Sequence, residues 1–373
     1  MYKRLNMIRV LQDLSALDGG GVAKLLLDYY NNMDHEKVHF DFLIYNYYEQ
    51  GIYEDPLKKL GCNIYKVPTL QQDKNGALKA IDEIIKYGQY DCVHSHFGRL
   101  AYHVLRIAKK YNVPKRIAHS HIAFEPMQFK TRIAAPIRSQ VTKYYATHLF
   151  ACGNDAGRYM WGNKAIRDGH VFIMKNAINT ELYRFSYDVR KKKRKELGID
   201  DQLVIGIVGR LSVQKNYPYL FKVFKRLLQY RDNAVLLIIG RGLEETQIKK
   251  NAHDLEIDSN IKFLGVRNDV PELLNAFDVF LLPSLYEGLP VVLIEAQANG
   301  LNEIISDQMT SEMNVTDLIS QLSINEENIG EWVTAINAAR VDLESRSSYA
   351  DKVAKAGYEI CDASRKMMQF YLS

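Results

Sequence analysis

The chain has 373 residues, a length that suits two domains of roughly 150–190 residues rather than one core. Hydrophobic residues make up 47% and charged residues 25%, the balance of a globular protein and not of a disordered or low-complexity one. The net charge of +5 is too mild to mark a nucleic-acid binder, and no apolar run approaches the roughly 18–20 residues of a membrane span. Cys62, Cys92, Cys152 and Cys361 form no CxxC pair, which excludes a zinc ribbon and argues against a disulfide framework. After Lys3 and Arg4 the apolar stretch at 8–11 is too short for a signal peptide, so a cytoplasmic protein is expected.

Residues 8–11 read as a buried strand. The run Gly19-Gly20-Gly21 follows, then a helix whose Val22, Leu25, Leu26 and Tyr29 repeat at i, i+3, i+4 and i+7. Next come a strand at 38–45, a short helix at 55–60, a strand at 63–67, a helix at 78–87 and a strand at 91–96. A helix at 100–111, a strand at 116–122, a long helix at 129–146 and strands at 148–152 and 171–174 complete the first half. The polar stretch 176–197 breaks the pattern, and the link between domains is placed there. Alternation then restarts with a strand at 203–208 and a helix at 219–230 that sets Leu220, Val223, Phe224, Leu227 and Leu228 on one face. Strands at 234–239, 261–263, 279–282 and 303–305 alternate with helices at 244–255, 270–276 and 290–299, and the chain from 329 onward is mostly helical.

Strands separated by helices of this length imply parallel βαβ units. The expected architecture is α/β: two Rossmann-like, doubly wound parallel-sheet domains facing a central cleft. They span 1–178 and 179–355, and a helix at 356–373 could pack back on the first domain. Ligands of such sheets bind beyond the carboxyl ends of the strands.

Several clusters could carry chemistry there. In LYEGLPVVLIE (285–295) a strand runs into a loop of Glu287, Gly288 and Leu289, and Pro290 opens a helix that carries Glu295 in its second turn. Two carboxylates thus bracket a helix N-terminus, whose free N–H groups suit a sugar hydroxyl or a diphosphate. After the strand at 203–208 stand Gly209, Arg210, Lys215 and Asn216; the arginine fork and the lysine can both reach a diphosphate. The glycine run is either an ordinary tight turn or a place where backbone approaches a ligand. His94 and His96 end one strand, and His119 and His121 another, each pair on one strand face. They are satisfied core or cleft histidines, a metal site that no carboxylate or cysteine supports, or part of an active site. Asp254, Glu256 and Asp258 stand where a helix ends and read as surface. The basic run 190–195 is a solvated helix start or an attraction to anionic membrane. Ile133, Ile137 and Val141, among Lys130, Arg132, Arg138 and Lys143, belong to a helix that faces the core or touches a bilayer.

These residues resemble the retaining glycosyltransferases of family 4, which have the GT-B fold. Glu287 and Glu295 match that family's E-x7-E motif, and Gly209-Arg210 with Lys215-Asn216 match its G-R-x4-K-N pattern. The resemblance implies that Glu287 contacts the donor sugar and Glu295 the ribose. It implies metal-independent chemistry without a cofactor, with Arg210, Lys215 and the helix N-terminus stabilising the leaving diphosphate. Gly20 and Gly21 correspond to a glycine loop near the diphosphate and the acceptor. Gly240 with Arg241-Gly242 stands where the family often has G-D-G, and Phe263–Val266 with Asp269 matches the loop near the base. The family's active-site histidine falls on His121 or, one strand step away, on His119.

HSHFGR, RIAHSH and EAQANGL are similar to the capsular and exopolysaccharide branch. That branch implies transfer from a UDP-sugar to a lipid-linked or other glycan acceptor in cell-surface polysaccharide synthesis, with peripheral contact at the inner face of the membrane. Retention is implied, with the departing phosphate taking the acceptor proton; no carboxylate of the first domain stands out as a nucleophile. Two departures, Asn302-Glu303 where the family usually has proline and Ile122 where the branch often has asparagine, bear on sugar and acceptor rather than on reaction type. Other readings are a nucleotide-sugar epimerase of the same fold and a catalytically silent subunit that scaffolds an active partner, against which intact Arg210, Lys215, Glu287 and Glu295 speak.

Overall fold

The computed structural model describes residues 7–18, 20–45, 50–123, 129–339 and 342–373, and for 129–132 the backbone only. Lys3, Arg4 and Gly19 lie outside these residues, as do the side chains of Lys130 and Arg132. The chain gathers into two units, Met1–Ile178 with Ile360–Ser373, and Asn179–Glu359.

In the first unit β1 (Ile8–Leu14), β2 (Val38–Ile44), β3 (Ile64–Lys66), β4 (Cys92–Ser95), β5 (Lys115–Ser120), β6 (His148–Ala151) and β7 (Val171–Ile173) form one sheet. Its order is β3-β2-β1-β4-β5-β6-β7, with every pairing parallel. Parallel neighbours need crossover connections, which the intervening helices supply. The order reverses between β1 and β4, and the register sets Asp13 beside Ser95 at that reversal. Strand β1 is buried from Val10 to Leu14, which is why its sequence does not alternate. It runs past residue 11 through Gln12 and Asp13, two polar side chains buried at its carboxyl end. The last helix, Ile360–Leu372, packs Ile360, Ala363, Met367 and Tyr371 into the same core as Leu26, Tyr29, Tyr30 and Phe40. The Tyr371 ring meets Phe40 edge-on at 5.7 Å.

In the second unit β8 (Leu203–Val208), β9 (Ala234–Ile239), β10 (Ile261–Gly265), β11 (Val279–Leu282), β12 (Asn302–Ser306) and β13 (Ile319–Leu322) form another parallel sheet, ordered β10-β9-β8-β11-β12-β13. Its order reverses between β8 and β11. The loop 209–216 leaves the carboxyl end of β8, and the loop 283–290 leaves that of β11.

The polar stretch 176–197 is not a bare link. Tyr187–Leu197 is a helix, with Ser186 accepting from the Val189 N–H and Gly198 closing it at φ 64°. Nor is its basic run simply solvated. Arg190 and Arg194 converge on the carboxylate of Asp278 at 2.5 and 3.2 Å, and Lys193 pairs with Asp269 at 2.6 Å. Only Lys191, Lys192 and Lys195 of the run lie clear of these pairings. Helices Asn154–Trp161 and Asn163–Arg167, parted by Gly162 at φ 88°, fill a stretch where the sequence suggests none. The helix Phe129–Tyr145 buries Ala135, Ser139 and Thr142, while Ile133 and Ile137 are 58% and 65% exposed; its isoleucine face does not turn to the core. No helix of the described residues is long and apolar enough to cross a membrane.

Candidate active site

Lys215 and Glu287 meet where the second sheet reverses. Lys215 ends a short turn of 3-10 helix after β8, and Glu287 lies in the loop after β11. Their ammonium and carboxylate are 2.7 Å apart and both nearly buried. Gln214 donates to the other carboxylate oxygen at 3.0 Å and to the Tyr286 carbonyl at 2.9 Å, and the Leu285 N–H donates to the Gln214 carbonyl at 2.9 Å. The two loops are thereby stitched together. A lysine ammonium has three protons, so Lys215 keeps donors for an anion while bonded to Glu287.

Glycines make room for this arrangement. A Cβ on Gly209 would come within 2.8 Å of Lys215 Cε. Gly240 has φ +134°, and a Cβ there would lie 2.0 Å from the Gly209 carbonyl oxygen. Asn216 takes the left-handed φ of 54° and caps the helix Tyr217–Leu228. Arg210 is exposed beside them, and Val266, just past β10, is 53% exposed.

Beyond Glu287, Gly288 is partly exposed and Leu289 buried. Pro290 is the cap of the helix Val291–Ala298 rather than its first residue, with φ −65° and ψ 118°. Glu295 sits in the second turn, and the Tyr183 hydroxyl donates to its Oε1 at 2.6 Å. Asn299 donates in turn to the Tyr183 carbonyl at 3.0 Å. Neither Tyr183 nor Gln214 is marked by the sequence, since both act through a partner distant along the chain. Asp254, Glu256 and Asp258 are exposed, as the sequence suggests.

In the first unit Gly20 caps the helix Gly21–Asn31 and its N–H donates to Asp18 at 3.0 Å. Strand β5 ends at Ser120, so His119 lies within it and His121 just beyond. The four histidines stack at the carboxyl ends of β4 and β5, with ring centroids 4.4 Å apart for His94 and His96 and 4.1 Å for His119 and His121. His94 Nε2 meets His119 Nδ1 at 3.1 Å, and His96 Nδ1 meets His121 Nε2 at 2.8 Å. His96 Nε2 meets Gln12 Oε1 at 3.0 Å, and His94 Nδ1 meets the Tyr371 hydroxyl at 2.7 Å. Burial pushes His94 down to about 3 and His121 to about 4, and holds His96 and His119 well below the usual histidine range, with neighbouring histidines adding to the effect on His94, His96 and His119. Nitrogens of His94, His96 and His119 come within 4.8 Å of one another, near enough to gather around a metal ion. Most of those nitrogens are already engaged with one another, His121, Gln12 and Tyr371.

Asp13 is a carboxylate that the sequence reading passes over. It is buried at the end of β1, where burial raises it to about 7 against the lowering bonds from Ser95 and Tyr45. Ser95 Oγ donates to it at 2.5 Å. The one available signal is its place, a polar residue ending a buried central strand.

The profile of the family "Glycosyl transferases group 1" matches residues 189–356. EpsF of Bacillus subtilis, a protein named as a glycosyltransferase, is 33% identical over 358 residues, covering 94% of this chain and 93% of EpsF. An Escherichia coli galactosyltransferase named for UDP-Gal and α-D-GlcNAc-diphosphoundecaprenol is 28% identical over 237 residues, 62% of this chain and 61% of that enzyme. Among solved structures, HepE of Anabaena in complex with UDP and glucose superposes with a TM-score of 0.80 at 16% identity, covering 98% of this chain and all of that one. At that identity the likeness speaks to the fold alone.

Proposed function

Since this chain belongs to the group 1 glycosyl transferases, enzymes of family 4 with the GT-B fold, we propose that it moves a sugar, with retention, from a UDP-sugar to a lipid-linked glycan acceptor in the synthesis of a cell-surface polysaccharide. The observation that carries the reading is the Lys215–Glu287 pair at the reversal of the second sheet, the place where doubly wound sheets bind their ligands. UDP as the nucleotide part of the donor draws on HepE, and the lipid-linked acceptor on the galactosyltransferase named for an undecaprenol diphosphate.

In this reading the bond from the anomeric carbon to the diphosphate breaks as charge grows on the leaving phosphate. Lys215 and Arg210 take up that charge, as do the N–H groups at the start of the helix Val291–Ala298. Fixed cations there do the work of a divalent ion, so turnover should survive exhaustive chelation. Glu295, oriented by Tyr183, holds the ribose. Glu287 holds the sugar, and the family's active-site histidine corresponds to His119 or His121. The acceptor hydroxyl bonds to the anomeric carbon on the face the diphosphate leaves, and its proton passes to the departing phosphate oxygen. The exposed Ile133, Ile137 and Tyr144 of the helix Phe129–Tyr145 suit a lipid-borne acceptor at a membrane surface. Co-sedimentation with anionic liposomes tests that part, and no pelleting of the protein would refute it.

Calorimetric titration with a panel of UDP-sugars and free UDP tests the reading as a whole. A UDP-sugar should bind the wild type, and Lys215→Ala should lose that binding. At a hundred times its dissociation constant the ligand should add about 2.7 kcal/mol of stability. Absence of binding by any nucleotide or nucleotide sugar would overturn the reading.

A further inference from the structure

Gln12 joins two pairs of histidines. Its Oε1 faces His96 Nε2 at 3.0 Å, and its Nε2 faces the Tyr371 hydroxyl at 3.2 Å. On one side the contacts run on from His96 Nδ1 to His121 Nε2 at 2.8 Å. On the other, Tyr371 meets His94 Nδ1 at 2.7 Å, and His94 Nε2 meets His119 Nδ1 at 3.1 Å. Each contact needs one proton and one lone pair. A neutral imidazole offers one donor and one acceptor nitrogen, an amide one donor end and one acceptor end, and a phenol that accepts a bond still has its own proton to give. Burial keeps all four imidazoles neutral.

The protons are therefore coupled along the whole chain. With Oε1 toward His96, that ring carries its proton on Nε2, and its Nδ1 accepts from His121 Nε2. In the other direction Gln12 donates to Tyr371, Tyr371 to His94 Nδ1, and His94 Nε2 to His119 Nδ1. All four rings are then protonated on Nε2. Turning the amide over inverts every link and protonates all four on Nδ1. Any mixture leaves two protons or two lone pairs facing each other in a buried site, where unpaired groups keep the full cost of their desolvation.

We propose that Gln12 and Tyr371 are positioning residues that lock the four histidines into one shared tautomer, so that the outward nitrogens of His119 and His121 present one proton and one lone pair at the two ends of the chain. His119 Nε2, at one end, is buried and has no hydrogen-bond partner among the described residues, and the Asn176 side chain bears on His121 at the other. A sugar hydroxyl can accept from one ring and donate to the other, which neither a carboxylate nor an ammonium can do. The role as a sugar-hydroxyl site rests on the glycosyltransferase reading; the tautomer lock does not.

The test is a long-range proton–nitrogen correlation spectrum of the full chain labelled with 15N-histidine, recorded without donor. In the wild type His94, His96, His119 and His121 should share one tautomer. Gln12→Glu places an acceptor at both ends of residue 12. His96 and His121 should then take Nε2–H, while Tyr371 turns its proton to the introduced carboxylate and His94 and His119 take Nδ1–H. Tyr371→Phe, a milder change, removes the link between Gln12 and His94 and should free the His94–His119 pair from the tautomer of the His96–His121 pair. Both variants should lower kcat/KM for the UDP-sugar about tenfold or more, while the Kd for free UDP, whose proposed contacts lie in the second unit, stays within a fewfold. Mixed tautomers in the wild type, or one shared tautomer in Gln12→Glu, would overturn the proposal. The spectrum needs no substrate, so a failure here is distinct from a failure of the nucleotide titration.

Discussion

The hydroxyl of Tyr183 donates to Glu295 Oε1 at 2.6 Å, with both side chains nearly buried. A hydrogen bond to a carboxylate is worth about 1.5–3 kcal/mol, and it fixes which way the second oxygen points. Tyr183→Phe removes the hydroxyl and little else. It should raise the Kd for free UDP roughly tenfold while kcat at saturating donor stays within a fewfold. Equal UDP affinity in isothermal titration would show that this bond does not orient the ribose contact.

The Lys215–Glu287 pair sets binding against stability. Breaking a buried pair leaves an uncompensated charge and costs about 3–5 kcal/mol, whereas replacing both partners with apolar residues is often near neutral. Lys215→Met alone should therefore lower the urea midpoint, and Lys215→Met with Glu287→Leu should restore much of it. Turnover should be lost in both. A double variant as unstable as the single one would mean that Gln214, which also bonds Glu287, carries the local structure.

Two glycines a contact apart should fail differently. An alanine at Gly209 presses on the end of a flexible lysine side chain, 2.8 Å from Cε. Gly209→Ala should weaken donor binding more than it lowers Tm. At Gly240 the added methyl meets backbone at 2.0 Å with φ at +134°, where nothing can give way cheaply. Gly240→Ala should lower Tm sharply or abolish soluble expression. Parallel thermal melts and donor titrations of the two variants separate these outcomes.

Glu303 occupies β12 opposite Phe280 and Ile319, fully buried, with neither carboxylate oxygen hydrogen-bonded among the described residues. Burial holds its pKa well above 4.5, the value for an unconstrained glutamate. The folded chain therefore keeps a proton that the unfolded chain gives up. The stability this proton confers is complete below about pH 4.5 and is lost as pH rises toward the folded pKa, by at most about 1.4 kcal/mol per unit. Glu303→Gln removes the titration. Its urea midpoint should match the wild type near pH 4.5 and exceed it at pH 8, and a constant offset between the two pH values would refute the assignment.

Hydrophobic runs such as those at 203–208, 234–239 and 279–282 mark their strands to the residue, because a strand buried on both faces has no polar position to blur its ends. Polar residues inside elements hide. Gln12 and Asp13 look like the end of a strand, the 187–197 helix looks like a linker, and β13, with exposed Ser320, has too little apolar pattern to see. At the candidate site Lys215, Glu287 and Glu295 are legible because the backbone around them is local: glycine, proline and short loops at strand ends. Tyr183, Gln214 and Tyr371 are not, since each matters only through a residue brought near by the fold, 277 positions away in the case of Tyr371 and His94.

The return of residues 360–372 to the first unit sets an order on biosynthesis. The strands of that unit's sheet are complete once Ile173 has been made, and they could pair while the ribosome is still working. Its core stays open along one flank, and His94 lacks its phenol, until the whole of Asn179–Glu359 has been translated. A chain stalled in the second unit would hold a paired sheet with an uncovered apolar flank, a species for chaperones rather than for catalysis.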